Sequence, residues 1–507
     1  VSVVLSEHLP LLASAPGGIQ KLRGLILELA VRGKLVPQDP DDEPENRKVG
    51  VFSDFFSLEY GDNLPAPKRT GTGEYPVYGS NGVVGTHDEC RVKAPCIVVG
   101  RKGSAGALNL CRENGCWVTD VAYYCIPPSS IDLDFAFVLF HTLGLDKLGK
   151  GIKPGLSRNE AYSLPVAIPP LAEQHRIVAK VDELMALCDL LEAEQADAAS
   201  AHTRLVEALL GTLTQSTDAT DLAANWQRLA EHFDSLFTTE ASIDALKQTV
   251  LKLAVMGKLV PQALHDEPAS ELLKKIAQER TRLEMAGICK KSKAMSVVGK
   301  DEHPFEVPDG WTWVLFDEII NPQKPISYGV LVPGPEVADG VPFVRIADLS
   351  ITAPPALPEK KIDRKVDAQY SRTRLDGGEI LMGVVGSIGK LGLAPRSWKG
   401  ANIARAICRI VPTEHVDKLF VLQLLQSKFM QSSFVGDTRT LAQPTLNVGL
   451  IRSALTPVPP LAEQKRIVAK VDELMALCDH IKADLATARQ QQATLADTLI
   501  DAALEAA

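Results

Sequence analysis

The chain has 507 residues, 45% hydrophobic and 23% charged, with a formal net charge of -9. That length predicts several domains, roughly three or four, and the composition is ordinary for a soluble globular protein. The negative charge excludes a surface coated throughout for nucleic acid, and no stretch approaches the ~18 consecutive apolar residues of a membrane span.

The opening, VSVVLSEHLPLLASAPGG, lacks the basic n-region of a secretory signal. Nine cysteines, an odd number with no regular framework, fit reduced thiols, so a cytoplasmic protein is expected. The charge is uneven. Residues 46–168 hold 13 Lys/Arg against 12 Asp/Glu, and residues 290–458 hold 21 against 17. Those two stretches suit a polyanion, and the acidic remainder does not.

In chain order, residues 19–32 predict a short helix that stops at Gly33, with Pro37 a few residues on. Residues 49–168 follow as short apolar runs between Gly/Pro-rich turns, which predicts an α+β domain built largely on sheet. This segment holds Cys90, Cys96, Cys111, Cys116 and Cys125. No C-x2-C pair is present, so buried free thiols are expected rather than a metal site. After the run CIVV comes a glycine element, Gly100-Arg101-Lys102-Gly103-Ser104-Ala105-Gly106.

Residues 169–189, PPLAEQHRIVAKVDELMALCD, open a long helical stretch. Apolar or small residues fall at Ile177, Val181, Leu184, Cys188, Leu191, Ala198, Leu205 and Leu209, with Gln195 and His202 in the remaining places. Sustained a/d spacing predicts a coiled coil. The double proline suits positions that need no donor, and Glu173 in the first turn favours the helix dipole. About 40 residues make a rod roughly 60 Å long.

Past the polar run TLTQSTDAT the order starts again near residue 224. LAVMGKLVPQ at 253–262 matches LAVRGKLVPQ at 29–38, and a second short helix over 243–256 stops at Gly257. Residues 270–286 add an amphipathic helix with no counterpart in the first half, followed by the basic linker CKKSKAMSVVGK. Residues 311–458 share the earlier punctuation. After EILM comes Gly383-Val384-Val385-Gly386-Ser387-Ile388-Gly389. Val341-Pro342-Phe343 parallels Tyr75-Pro76-Val77, and Pro444 and Leu446 match Pro154 and Leu156.

Residues 459–479, PPLAEQKRIVAKVDELMALCD, then repeat the first stretch with only Lys465 in place of His175. Their a/d series is Ile467, Val471, Leu474, Cys478, Ile481, Leu485, Ala488, Leu495 and Leu499, with Gln492 in register. Two near-identical segments 290 residues apart imply two equivalent modules and a pseudo-two-fold tandem repeat. The long helices would then pack antiparallel, with Gln195 and Gln492 setting register. Such symmetry suits duplex DNA and a pair of identical subunits.

Catalytic constellations are missing. Gly389-Lys390 is followed by Leu391 and lacks the upstream glycine of a phosphate loop. No [DNS]PP[YFW] tetrad of an adenine methyltransferase is present. Pro308-Asp309 and Glu359-Lys360-Lys361 stand too far apart for a nuclease core, and Pro358 interrupts the second part. No H-E-x-x-H or G-x-S-x-G occurs. The glycine element reads either as a tight turn between strands or as a turn whose N–H groups and serine approach a nucleic acid.

The PLAEQKRIV helices, the GKLVPQ turns and the GSIGK-type turn, set around two unlike segments, closely resemble the specificity subunit of type I restriction-modification enzymes over essentially the whole chain. One departure is that the first segment lacks the Gly310-Trp311-Thr312-Trp313 opening of the second. The resemblance implies an α+β chain. Two globular α/β target-recognition domains are separated by two long conserved helices forming an antiparallel coiled coil. Its expected parts are a helical segment at 1–48, recognition domains at 49–168 and 301–458, long helices at 169–215 and 459–507, and a helical segment with linker at 216–300.

It implies a non-catalytic subunit that reads a bipartite, asymmetric site in double-stranded DNA and binds two methyltransferase (modification) subunits and restriction/translocase subunits. S-adenosylmethionine, ATP and Mg are expected on those partners, with no cofactor and no metal on this chain, and no membrane. The candidate DNA contacts are Tyr78, Ser80, Asn81, Arg101, Lys102, Ser104 and Lys153 in the first segment. In the second they are Arg345, Ser387, Lys390, Arg405, Arg439 and Gln443. The alternatives are a coiled-coil adaptor with two non-DNA domains and a fused nuclease-methyltransferase fragment.

Overall fold

The structure, a computed structural model, describes residues 10–37, 47–93, 95–149, 155–216, 219–289, 299–435 and 445–505. The chain divides into two compact units, residues 1–200 with 486–507, and residues 201–485. Each unit holds one globular module and portions of both long helices.

Among the described residues, each module has nine strands. In the first these are β1 (Lys48–Val51), β2 (Glu59–Tyr60), β3 (Tyr75–Gly79), β4 (Gly82–His87), β5 (Cys96–Gly100), β6 (Leu108–Cys111), β7 (Trp117–Val118), β8 (Ala122–Cys125) and β9 (Pro165–Ile168). In the second they are β10 (Thr312–Leu315), β11 (Ser327–Tyr328), β12 (Val341–Val344), β13 (Lys361–Ile362), β14 (Ile380–Gly383), β15 (Leu391–Leu393), β16 (Asn402–Ile403), β17 (Ile407–Ile410) and β18 (Leu455–Val458).

The first module pairs them as β2-β8-β5-β6, β4-β3-β7 and β1-β9, and the second as β11-β17-β14-β15, β13-β12-β16 and β10-β18. The pairing is the same strand for strand. β3 runs parallel to β7 and β12 to β16, and the other ladders are antiparallel. Two stretches that differ at most positions therefore share one fold. What they share in sequence is the turn chemistry, which sets where strands end.

The β1-β9 ladder, from Lys48↔Ile168 to Val51↔Pro165, joins the entry and exit of the first module. Strand β9 leads straight into the double proline and the long helix Leu171–Gln215. Gln174 fastens that junction. Its side-chain oxygen accepts from the backbone N of Asp132 (2.7 Å), and its amide donates to the Pro169 carbonyl (2.8 Å). Asp132 in turn caps the helix Leu133–Thr142 of the module. Gln464 does the same for Asp417 (2.7 Å) and Pro459 (2.9 Å), and Asp417 caps Lys418–Gln426. Both glutamines are fully buried, so the repeated PPLAEQ string is a clamp between helix and module.

The short helices Gly18–Val31 and Glu240–Val255 end in left-handed Gly33 and Gly257. In each, the next N–H closes a bond five residues back, Lys34 to Leu29 (2.9 Å) and Lys258 to Leu253 (2.9 Å). Phe52, Phe135 and Phe140 of the first module share one core with Ile19, Leu22 and Ile26 of the short helix and Ile177, Val181 and Cys188 of the long one. In the second unit, Ile243, Leu246 and Val250 pack with Val206, Leu210 and Leu213, and with Ile467, Val471 and Cys478. Leu184, Leu191, Leu474 and Ile481 lie partly buried against these cores. Each such large side chain contributes on the order of 1.5–3 kcal/mol. The pairs Arg23–Asp189 (2.7 Å) and Lys247–Asp479 occupy equivalent places.

The long helices, Leu171–Gln215 and Leu461–Glu505, have 45 residues each, and each unit holds the first part of one with the last part of the other. The expected a/d series is fullest over its first half, with Leu209, Leu485 and Leu499 partly buried beyond it. Leu205 is 52% exposed and Leu495 47% exposed, while Val206, Leu210 and Leu213, and Ala496 and Ala503, are buried. From Ile177 to Val206, and from Ile467 to Ala496, is 29 residues. That is eight turns at ~3.6 residues per turn, so the buried stripe follows an ordinary α-helix and not the 3.5 period of a heptad. Gln195 donates to the Ala13 carbonyl (2.8 Å) and Gln492 to Ser14 Oγ (3.0 Å). Both thus bind the helical stretch at residues 10–14, just before the first short helix. Residues 192–205 and 482–495 bury no side chain.

Candidate nucleic-acid interface

Each glycine element is the hairpin connection between two paired strands, β5 to β6 and β14 to β15. The two connections share their hydrogen bonds. Gly106 N donates to Gly100 O (2.8 Å) and Gly389 N to Gly383 O (2.9 Å), while Gly100 N donates to Ala107 O (2.7 Å) and Gly383 N to Lys390 O (2.8 Å). The middle and last glycines are left-handed, at φ 85° and 76° in the first and 76° and 79° in the second.

A Cβ on Gly106 would lie 2.2 Å from the Asp146 backbone N, whereas one on Gly389 would meet the Gln431 side chain. Backbone cannot yield as a side chain can. Gly106→Ala is therefore expected to cost about 3 kcal/mol and Gly389→Ala about 1 kcal/mol. Thermal unfolding of the two variants measures this, and equal losses would contradict it.

Three loops meet at the end of each module where these turns lie. In the first, Arg101 N and Lys102 N both donate to Val121 O, between β7 and β8. Ser80 abuts the same turn, its carbonyl beside Gly100 and its hydroxyl beside Gly103. Ser80, Asn81, Lys102 and Ser104 are exposed or half-buried around this point. Arg101 is held in place. Its guanidinium lies over the Tyr60 ring (4.7 Å) and donates to the Asp120 carbonyl (3.0 Å).

The second module assembles the same way. Val384 N donates to Ala406 O (2.8 Å), beside exposed Arg405 between β16 and β17. Lys390 Nζ donates to the Ile346 carbonyl (2.9 Å), next to Arg345. Arg345 pairs with Asp348 at 3.5 Å, and Ser387 is exposed. The loop end thus gathers Ser80, Asn81, Arg101, Lys102 and Ser104 in one module, and Arg345, Ser387, Lys390 and Arg405 in the other.

Tyr78 is a correction. It is 6% exposed, its side chain lies among apolar residues and thiols, and burial foremost pushes its hydroxyl well above the usual tyrosine range. It supports the loop from below and presents no surface. Lys153, Arg439 and Gln443 lie outside the described residues.

The structure also shows a cleft of about 670 Å³ in the second module, lined by Lys324, Ser327, Arg372, Arg374 and Arg409 among others. Arg374 is paired with Asp367 and Lys324 with Asp376. Arg409 is 5% exposed, donates to the Arg374 carbonyl (2.9 Å), and has its pKa lowered by burial. Arg372 is exposed. The alternating cations of SRTRLDGG were the available sequence signal.

Two modules of one fold, each offering a polar, basic loop end, define a protein with two separate reading surfaces. The family described as the type I restriction modification DNA specificity domain matches residues 44–198 and 335–488. The specificity subunit of the type I restriction enzyme EcoAI of Escherichia coli is 33% identical, over 96% of this chain and 94% of that one. That of EcoEI, also of Escherichia coli, is 32% identical over the same shares. A solved structure from the assembly of a type I R-M system covers 92% of this chain and 99% of its own, at 15% identity and a TM-score of 0.48. The chain belongs to the specificity subunits of type I restriction enzymes, the non-catalytic, sequence-recognising part of these systems. No helix among the described residues is long and apolar enough to cross a membrane.

Proposed function

We propose that each loop end grips one half of a bipartite, asymmetric site in double-stranded DNA, leaving the bases between unread. The recognition domains are residues 49–168 and 301–458, and the long helices over 169–215 and 459–507 set their separation. The helical segments 1–48 and 216–300 brace them. The observation that carries this reading is the common fold with different side chains at the same loop end. One scaffold twice over gives two contacts of like geometry, and the differing residues give two different base sequences.

The outer faces of the long helices support a pair of identical partners. Lys180, Glu183 and Leu187 match Lys470, Glu473 and Leu477, with Leu187 39% and Leu477 49% exposed. Packing does not demand identity at exposed positions, whereas docking of two copies of a modification subunit does. Methyl transfer with S-adenosylmethionine then falls to those subunits. ATP- and Mg-dependent work falls to restriction subunits, in the cytoplasm of a bacterium or archaeon.

The test is ionic. Lys102 is exposed beside the first turn, so Lys102→Ala in the assembled complex should weaken DNA binding and make the log–log salt dependence shallower by about 0.9. Lys274→Ala, on a helix remote from the loop end in sequence and paired with Glu271, should leave the slope unchanged. Anisotropy titrations over a salt series measure both, and an unchanged Lys102→Ala slope would remove this turn from the interface.

A further inference from the structure

The hairpin that carries the first reading turn is closed at its other end by sulfur. Cys96 and Cys111 face each other across β5 and β6, and Cys116 joins them through the bridge of its residue to Val92. The three sulfurs lie within 4.8 Å of one another, and all three residues are fully buried. The Cys96 and Cys116 sulfurs are 3.8 Å apart. Glu113, in the four-residue turn between Cys111 and Cys116, places Oε2 3.3 Å from the Cys111 sulfur. The rest of this pocket is formed by Val92, Val98, Val118 and Ala122, together with the buried Tyr78.

We propose that Cys96, Cys111 and Cys116 bind one zinc ion that locks the base of this hairpin, with exposed Glu113, beside Cys111, turning in as the fourth ligand when the metal binds. A tetrahedron with zinc–sulfur bonds of about 2.3 Å has sulfur–sulfur edges of about 3.8 Å, the separation of the Cys96 and Cys116 sulfurs. The Cys111-x4-Cys116 spacing, with Gly115 in the turn, falls within the range of paired zinc ligands.

The second module shows what this position holds without thiols. By strand register, Cys96, Cys111 and Cys116 correspond to Glu379, Ala394 and Ala401. There the space is filled by the Trp398 ring, 1% exposed and packed with Ala394 and Ala401. Where one module uses a large indole between small residues, the other converges three sulfurs.

Metal binding would displace the thiol protons to solvent, so affinity falls as pH falls.

The experiment uses the full chain, purified with its modification partner and without chelators. Zinc is counted by elemental mass spectrometry, then displaced with an organomercurial while a zinc dye reports release. Cobalt(II) replacement should give thiolate-to-cobalt charge-transfer bands. Expected are one zinc per chain, stoichiometric release on thiol modification, and loss of zinc in Cys111→Ala but not in Cys408→Ala, a buried cysteine of the second module. Metal-free wild-type protein with freely titrating thiols, or zinc retained by Cys111→Ala, would overturn the proposal. The wild-type measurement stands even where the variant does not fold.

Discussion

Replacing residues 49–168 with the matching segment of a relative will change one half of the DNA motif methylated by the assembled complex, leaving the other half and the spacing as they were. The segment is self-closing. Its first and last strands pair from Lys48↔Ile168 to Val51↔Pro165, so both splice points lie at one ladder. The rest of the chain sees the segment through a defined surface. This is the Gln174 clamp on Asp132, and the core in which Phe52, Phe135 and Phe140 meet the short and long helices. A donor keeping these contacts should fold in place. The effect should be a switch in preference between parental and donor half-sites on the order of 10³-fold or more, the usual gap between specific and non-specific DNA. Methylation mapping of the chimaera reads it, and a change in both halves would mean that the modules do not read independently.

Lengthening both long helices by seven residues will move the complex to a motif with a longer unread spacer and unchanged half-sites. The insertions belong in residues 192–205 and 482–495, where no side chain is buried. Seven residues add about 10 Å and fall only about 20° short of two full turns, so Val206, Leu210 and Leu213 still reach their core. At about 3.4 Å per base pair the spacer should grow by about three, and the parental site should be lost. Five residues instead turn those three side chains by about 140°, out of their core, so that variant should fail to assemble. A seven-residue variant that still methylates the parental spacing would show that something other than these helices sets the distance.

Much of this was legible because duplication wrote it twice. PPLAEQ, GKLVPQ and the glycine elements mark equivalent points, and the structure gives each a physical job: clamp, helix stop and hairpin turn. The common strand order of the two modules was not legible, since β-pairing is set by contacts distant in sequence and most letters differ. The helix stripe was most fully legible over its first half. A heptad drifts about 20° from an ordinary helix with each repeat, which is invisible over two repeats and moves burial from Leu205 to Val206 over four.

The same turn geometry explains which loop candidates lie at the surface and which does not. Residues beside glycine, such as Lys102 and Ser387, must be near the surface because the turn is. Tyr78, two residues before a turn, sits on the inward side of β3 and is buried. That three of the cysteines meet was hidden for the same long-range reason as the strand order. Cys96 and Cys111 meet only because the hairpin register sets them opposite each other.

The central claim is that two modules of one fold read two different half-sites, and mapping the methylated bases in a host carrying this chain and its modification subunit tests it most directly. The account predicts two short, dissimilar blocks separated by a fixed run of unread bases. A single uninterrupted block, or two halves that are inverted copies of one another, would contradict it.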